Sequence, residues 1–221
     1  ACGDGWGPSE WVHACGEGGA RGLKGWMVSE ARASVRGCAV EWTEGKPVGG
    51  LGVGIIAEEL APKCVALGMR VVGISSAERS VRGFDVIYSR ERLVEAAALV
   101  DFLVLLTPYT AETHGIVDAR VLGAMKPGSF LINVARGGVV DEPALIDALD
   151  SHRIAGAALD VFSQEPLPAD HALWGMDNVL ITSHTAGFHV GYAEQALPIV
   201  EENLRRFIAG DYDNLVNIVR S

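Results

Sequence analysis

From Pro47 onward the chain repeats one alternation. Short apolar runs at 48–51, 70–74, 101–106, 129–134, 155–160 and 178–181 are bounded by turn residues and predict buried strands. Between them lie helical patterns at 55–67 (IIAEELAPKCVAL), 90–99 (RERLVEAAAL), 116–125 and 141–150 (DEPALIDALD). Pro143 falls in the first turn of the last, where its missing N–H costs nothing. Strand and helix in strict alternation predict an α/β fold, a doubly wound parallel sheet with helices on both faces. A further amphipathic helix over 191–209 ends at Gly210 and leads into an extended tail. Gly49 and Gly50 sit in the first run, where β-branched residues would be usual, and predict a weakened strand.

Residues 1–45 break this rhythm. Glycines crowd the start, and four of the five tryptophans (Trp6, Trp11, Trp26 and Trp42) fall here. Glycine at that density disfavours helix and strand alike. The one element predicted is a helix over Met27–Trp42, weakened by Gly37.

Composition narrows the function classes. With 49% apolar and 21% charged residues, the 221-residue chain can bury a substantial core. A net charge of −10 argues against a sequence-independent grip on nucleic acid or on an anionic membrane. No apolar run reaches the roughly 18 residues of a membrane span. Cys2, Cys15, Cys38 and Cys64 show no metal or redox spacing, so no metal site is expected. Reduced thiols and a cytoplasmic location are the expectation.

Chemistry enters first at Gly52-Val53-Gly54-Ile55-Ile56-Ala57, a GxGxxA turn between a predicted strand and a predicted helix. Glycine there permits a tight turn and close approach of the backbone to a pyrophosphate, which the helix N-terminus attracts. The second strand ends at Ser75-Ser76, where an acidic residue would accept the ribose hydroxyls of NAD. Arg79 and Arg82 follow, and that combination leans toward the extra phosphate of NADP. An ordinary solvated loop that binds NAD less tightly is the alternative.

Three later segments place a charged or titratable residue just past a predicted strand. They are Leu131–Asp141 (LINVARGGVVD), Ala155–Leu167 (AGAALDVFSQEPL) and Asn178–Gly187 (NVLITSHTAG). Joined by Thr107–Thr113 (TPYTAET), Met125–Gly128 (MKPG) and Glu202–Arg205 (ENLR), this series resembles the D-isomer-specific 2-hydroxyacid dehydrogenases over roughly residues 46–219. The resemblance implies a Rossmann-like domain over 46–188 that binds NAD or NADP, and a C-terminal helix and tail over 189–221.

It also implies roles. Arg136 would bind the carboxylate and C2 oxygen of a small 2-oxo or 2-hydroxy acid, a task suited to a planar fork of donors. His184 would be the general acid in reduction and the base in oxidation. Glu165 would hold the far ring nitrogen and fix the tautomer. Asp160 would hold the nicotinamide end of the cofactor. Gly52, Gly54, Ile55, Ile56, Ser75, Pro108, Thr113, Val134, Ala135 and Gly187 would line the cofactor, with Arg136 and His184 also touching it. His13, His114, His152, His171 and His189 lack such framing and are expected to be structural or solvated.

The front departs from the family, whose members begin with about a hundred residues of a separate substrate domain. Only some 45 residues precede the glycine turn here, which predicts a truncated or atypical substrate domain. Ala57 stands at the third glycine, and Ser183 stands where proline often precedes the histidine. The resemblance implies an oxidoreductase moving a hydride between NAD(P)H and a small 2-oxo acid, acting as a homodimer. The alternative is a catalytically impaired dinucleotide-binding protein or corepressor-like scaffold.

Overall fold

The computed structural model describes residues 43–76 and 80–217. The helix expected over Met27–Trp42, the tryptophans within 1–42, Cys2, Cys15, Cys38, His13 and Arg79 lie outside the described residues. The described chain runs β1 (Pro47–Leu51), α1 (Ile55–Ala66), β2 (Arg70–Ser75), β3 (Val86–Ser89), α2 (Leu93–Leu99) and β4 (Phe102–Leu105). It continues through α3 (Ala119–Ala124), β5 (Phe130–Asn133), α4 (Glu142–Asp150), β6 (Gly156–Leu159), β7 (Val179–Ile181) and α5 (Tyr192–Ile208). The strands form one seven-stranded sheet, ordered β3-β2-β1-β4-β5-β6-β7, with every pairing parallel. Strand order therefore reverses between β1 and β4. Ligands bind at such a switch point, outside the carboxyl ends of the strands.

All six expected strands form, and β3 is an addition. It is a four-residue edge strand, and the segment between it and β2 shows no helix among the described residues, so strict alternation fails there. The helix expected over 90–99 opens with a 3-10 turn at Arg90–Arg92. The one expected over 116–125 shrinks to Ala119–Ala124. β1 is also not the weak strand that its glycines predicted. All five of its residues are buried, and it pairs with β2 on one side and β4 on the other. A Cβ on Gly49 would stand 3.1 Å from a Val100 methyl, so the missing side chain is what lets the α2–β4 corner close over the strand.

The core is a continuous apolar layer in which Ile74, Leu103, Leu105 and Leu131 from the central strands meet Leu122, Met125, Leu145 and Leu149. Each such fully buried side chain contributes about 1.5–3 kcal/mol of transfer free energy. The middle of the sheet is thus the anchor against which the loops are set.

Asp118 explains where α3 begins. Its carboxylate accepts the Arg120 and Val121 backbone N–H groups at 3.0 and 3.1 Å, and the Arg120 guanidinium at 2.9 Å. Burial opposes the charge, but the Val121 amide and the Arg120 guanidinium outweigh it and hold the carboxyl below its ordinary range. A depressed folded-state value gives stability that is present above the unfolded value and lost as pH falls through the folded one. Asp118→Ala is therefore expected to cost about 0.5–2 kcal/mol at neutral pH. Urea unfolding of both chains should show that gap closing as the medium is acidified below the usual carboxylate range.

Two compact units divide at His184/Thr185. The second holds α5, which starts after Gly191 in the left-handed region, and a tail turned back on that helix. There Asn203 donates to the Val216 carbonyl at 2.9 Å and accepts its N–H at 2.7 Å. No helix among the described residues is long and apolar enough to cross a membrane.

Candidate active site

The glycine turn leaves the carboxyl end of β1 at the switch point. Gly52 has φ +103°, and a Cβ there would lie 2.7 Å from the Thr107 nitrogen, so both its conformation and its contact require glycine. Its N–H donates to the Ile74 carbonyl at 2.8 Å, and Leu106 N–H donates to the Leu51 carbonyl at 2.8 Å. These bonds bind the ends of β1, β2 and β4 into one rim. Gly54 caps α1 in an extended conformation with no side-chain cap, and a Cβ there would meet nothing within 4 Å. The opening N–H groups of a helix have no partner inside it. Here they face open space flanked by Ile55 and Ile56, which are 79% and 67% exposed. An anion such as a pyrophosphate fits this opening on both counts, with room beside the backbone and donors that the helix itself leaves unused.

Ser75 closes β2, half-buried and paired in register with Ser89. Arg82 is exposed in the turn before β3. Pro108 is exposed after β4. Thr113 is 2% exposed, and its hydroxyl donates to the Pro108 carbonyl at 2.7 Å while accepting the Thr110 N–H at 2.8 Å. It fixes the shape of the 108–113 turn from within.

Past β5 the chain turns at Val134-Ala135-Arg136. Asn133 brackets this turn: its Oδ1 accepts the Ala135 N–H at 3.1 Å, and its Nδ2 donates to the Arg136 carbonyl at 3.1 Å. The Arg136 side chain is exposed, with one guanidinium nitrogen donating to the Ala135 carbonyl at 2.6 Å. The next residue is decisive for the site's shape. A Cβ on Gly137 would overlap the Phe162 carbonyl carbon at 1.9 Å. The Arg136 turn therefore presses backbone to backbone on the loop that follows β6.

That loop holds the carboxylates. Asp160 is 3% exposed and accepts the Thr182 hydroxyl at 2.5 Å, which ties the end of β6 to the end of β7. Glu165 accepts the Phe162 N–H at 3.0 Å through Oε1. Its Oε2 faces His184 Nδ1 at 2.7 Å. Because a carboxylate only accepts, the ring proton lies on Nδ1, and Nε2 is left for another partner. His184 itself sits at φ +56°, a conformation sparsely used by residues other than glycine and found where a fold orients a functional side chain. Glu165 and His184 thus meet directly, and the turn that carries Arg136 touches their loop through Gly137. Gly187 belongs to the second unit.

Asn133, Gly137, Phe162 and Thr182 shape the site without having been expected. Asn133 three residues before Arg136 has the spacing of a side chain that closes a local turn, and that signal was available. The contacts of Gly137 and Thr182 join segments far apart in sequence and leave no local trace.

Comparison with known proteins agrees with this geometry. The family profile described as "D-isomer specific 2-hydroxyacid dehydrogenase, NAD binding domain" matches residues 23–186. The (S)-sulfolactate dehydrogenase of Chromohalobacter salexigens is 38% identical over 165 residues, covering 74% of this chain and 53% of that protein. The glyoxylate reductase of Thermococcus gammatolerans is 36% identical over 167 residues, covering 76% and 50%. A D-isomer specific 2-hydroxyacid dehydrogenase from Xanthobacter autotrophicus, solved in complex with NADPH and MES, superposes with a TM-score of 0.73 at 40% identity. It covers 79% of this chain and 71% of that one. The chain spans about half the length of the curated relatives it matches. With its parallel sheet, glycine turn and matched length, the chain belongs to the D-isomer-specific 2-hydroxyacid dehydrogenase family and comprises its NAD-binding domain.

Proposed function

We propose that this chain is the coenzyme-binding and acid–base portion of an oxidoreductase that moves a hydride between NAD(P)H and a small 2-oxo acid. The single observation that carries this reading is the 2.7 Å pair of His184 Nδ1 and Glu165 Oε2 beside the Arg136 turn. The bound nicotinamide supplies the hydride; the protein supplies orientation, a proton and charge. Glu165 fixes the proton on Nδ1, so that the acid-form ring can give its Nε2 proton to the C2 oxygen as the alcohol forms. In the reverse direction neutral Nε2 takes that proton back. Arg136 holds the substrate carboxylate with a planar fork of donors. Ile55, Ile56 and the α1 N-terminus receive the dinucleotide, with the pyrophosphate at the uncapped opening turn.

Ser75 supports NADPH over NADH, because β2 closes on a hydroxyl side chain and not on a carboxylate that would accept the ribose hydroxyls and repel a 2′-phosphate. The related Xanthobacter enzyme, solved with NADPH, adds weight to that choice.

The test is a titration of the purified chain with NADPH and NADH separately, followed by nicotinamide fluorescence. Glyoxylate or hydroxypyruvate is then added to the tighter complex. Tighter binding of NADPH, followed by its oxidation, is the expected result. Failure to bind either coenzyme would overturn the reading. Binding without oxidation by any 2-oxo acid would reduce it to coenzyme binding alone.

A further inference from the structure

Two carboxylate–histidine pairs grip the same piece of backbone. Phe162 N–H donates to Glu165 Oε1 at 3.0 Å, and the next residue, Ser163, donates its N–H to Glu142 Oε2 at 3.1 Å. Glu165 carries on to His184. Glu142 carries on to His171, whose Nε2 lies 3.4 Å from Glu142 Oε1. The direction of this second pair is settled by His171 Nδ1, which accepts the Leu173 N–H at 3.4 Å and so leaves the ring proton on Nε2, facing Glu142. Both Glu142 oxygens are therefore committed, and its side chain is only 17% exposed. The carboxylate also stands in the first turn of α4, where the helix dipole favours negative charge.

We propose that Glu142 is a positioning residue for the Glu165–His184 pair, acting through the Phe162–Ser163 backbone. The inference rests on the acid–base role given to that pair above. Glu165 reaches the imidazole only while its loop keeps one course, and Gly137 presses on that loop from one side at Phe162. Contact alone pushes and does not hold. The hydrogen bond from Ser163 to a carboxylate on a rigid helix start supplies the opposing hold, and His171 keeps that carboxylate in place. Reach matters more than charge, since Ser163 offers a single N–H at hydrogen-bond distance.

Two substitutions separate reach from charge. Glu142→Asp keeps the charge and favours the helix start, but withdraws the acceptor by one methylene. Glu142→Gln keeps the length and an acceptor oxygen, but drops the charge. The readout is ring-nitrogen NMR of the full chain labelled in histidine, at a pH where His184 is neutral, with its signals assigned by their loss in His184→Ala. Wild type and Glu142→Gln are expected to show the Nδ1–H tautomer of His184. Glu142→Asp is expected to lose that signature. A Glu142→Asp chain that retains the wild-type tautomer would overturn the proposal, as would a Glu142→Gln chain that loses it while Glu142→Asp does not. A merely structural role would lower the unfolding midpoint and leave the tautomer of the folded fraction unchanged. Neither coenzyme nor substrate enters the measurement, so it fails separately from the oxidoreductase reading.

Discussion

His184→Ala is expected to lower turnover by about 10²–10⁴ while leaving dinucleotide affinity nearly unchanged. That loss corresponds to roughly 3–5 kcal/mol of transition-state stabilisation. Its size follows from geometry already in place. Glu165 holds the Nδ1 proton at 2.7 Å, so Nε2 needs no reorientation when a substrate oxygen arrives. Alanine leaves a 2-oxo acid to be reduced without the positioned imidazole as its proton donor. Dinucleotide affinity is spared because the glycine turn and the α1 N-terminus are built from β1, on the far side of β4 and β5 from β7. Single-turnover kinetics and a fluorescence titration on the same preparation would separate the two quantities. Turnover within a fewfold of wild type would remove His184 from the proposed chemistry.

Gly137→Ala is expected to be the most damaging single methyl group in the sheet's carboxyl rim. Its Cβ would lie 1.9 Å from the Phe162 carbonyl carbon, 2.0 Å from the oxygen and 2.4 Å from the Ser163 nitrogen. Carbon atoms rest about 3.5–4.0 Å apart, and all three obstacles are backbone that no rotamer change can clear. Overpacking costs about 1–3 kcal/mol where side chains can yield. Here the two loops must separate by more than an ångström, so the expected loss is about 3 kcal/mol or more, together with the Glu165–His184 distance. Gly123→Ala is the control. Gly123 lies inside α3, and a Cβ there meets nothing within 4 Å, so a gain of about 0.5–1 kcal/mol is expected. Urea midpoints of opposite sign would bear out both; equal midpoints would refute the contact argument.

What the sequence made legible was whatever is written locally. Val71, Val72 and Ile74, like Leu103, Val104 and Leu105, are buried on both faces and read as unbroken apolar runs. The glycine turn announced itself by its position between such a run and a helix. β3 was not legible, because it is short, lies at the sheet's edge and opens on Val86, which is 40% exposed. The glycines of β1 misled for a related reason. β-propensity scores a side chain on a half-exposed surface, whereas Gly49 serves the close approach of Val100. His171 was expected to be structural or solvated, and its bonds to Glu142 and to Leu173 N–H show that it is structural. Its link to the Glu165 loop runs through Glu142, 29 positions earlier, and no local pattern records that.

The dinucleotide turn issues from β1, a strand paired on both sides and buried throughout, whereas His184 follows β7, a three-residue strand at the margin with Leu180 54% exposed. Protein segments open in cooperative groups whose free energies run from near zero at frayed margins to the global value in the centre. Amides of β1 and β4 are therefore expected to exchange only when the whole molecule unfolds, and those of β7 through a cheaper, local excursion. The proposed grip on the coenzyme and the proposed supply of the proton are thus expected to fall in different cooperative units. A mild denaturant would silence the second well before it loosens the first.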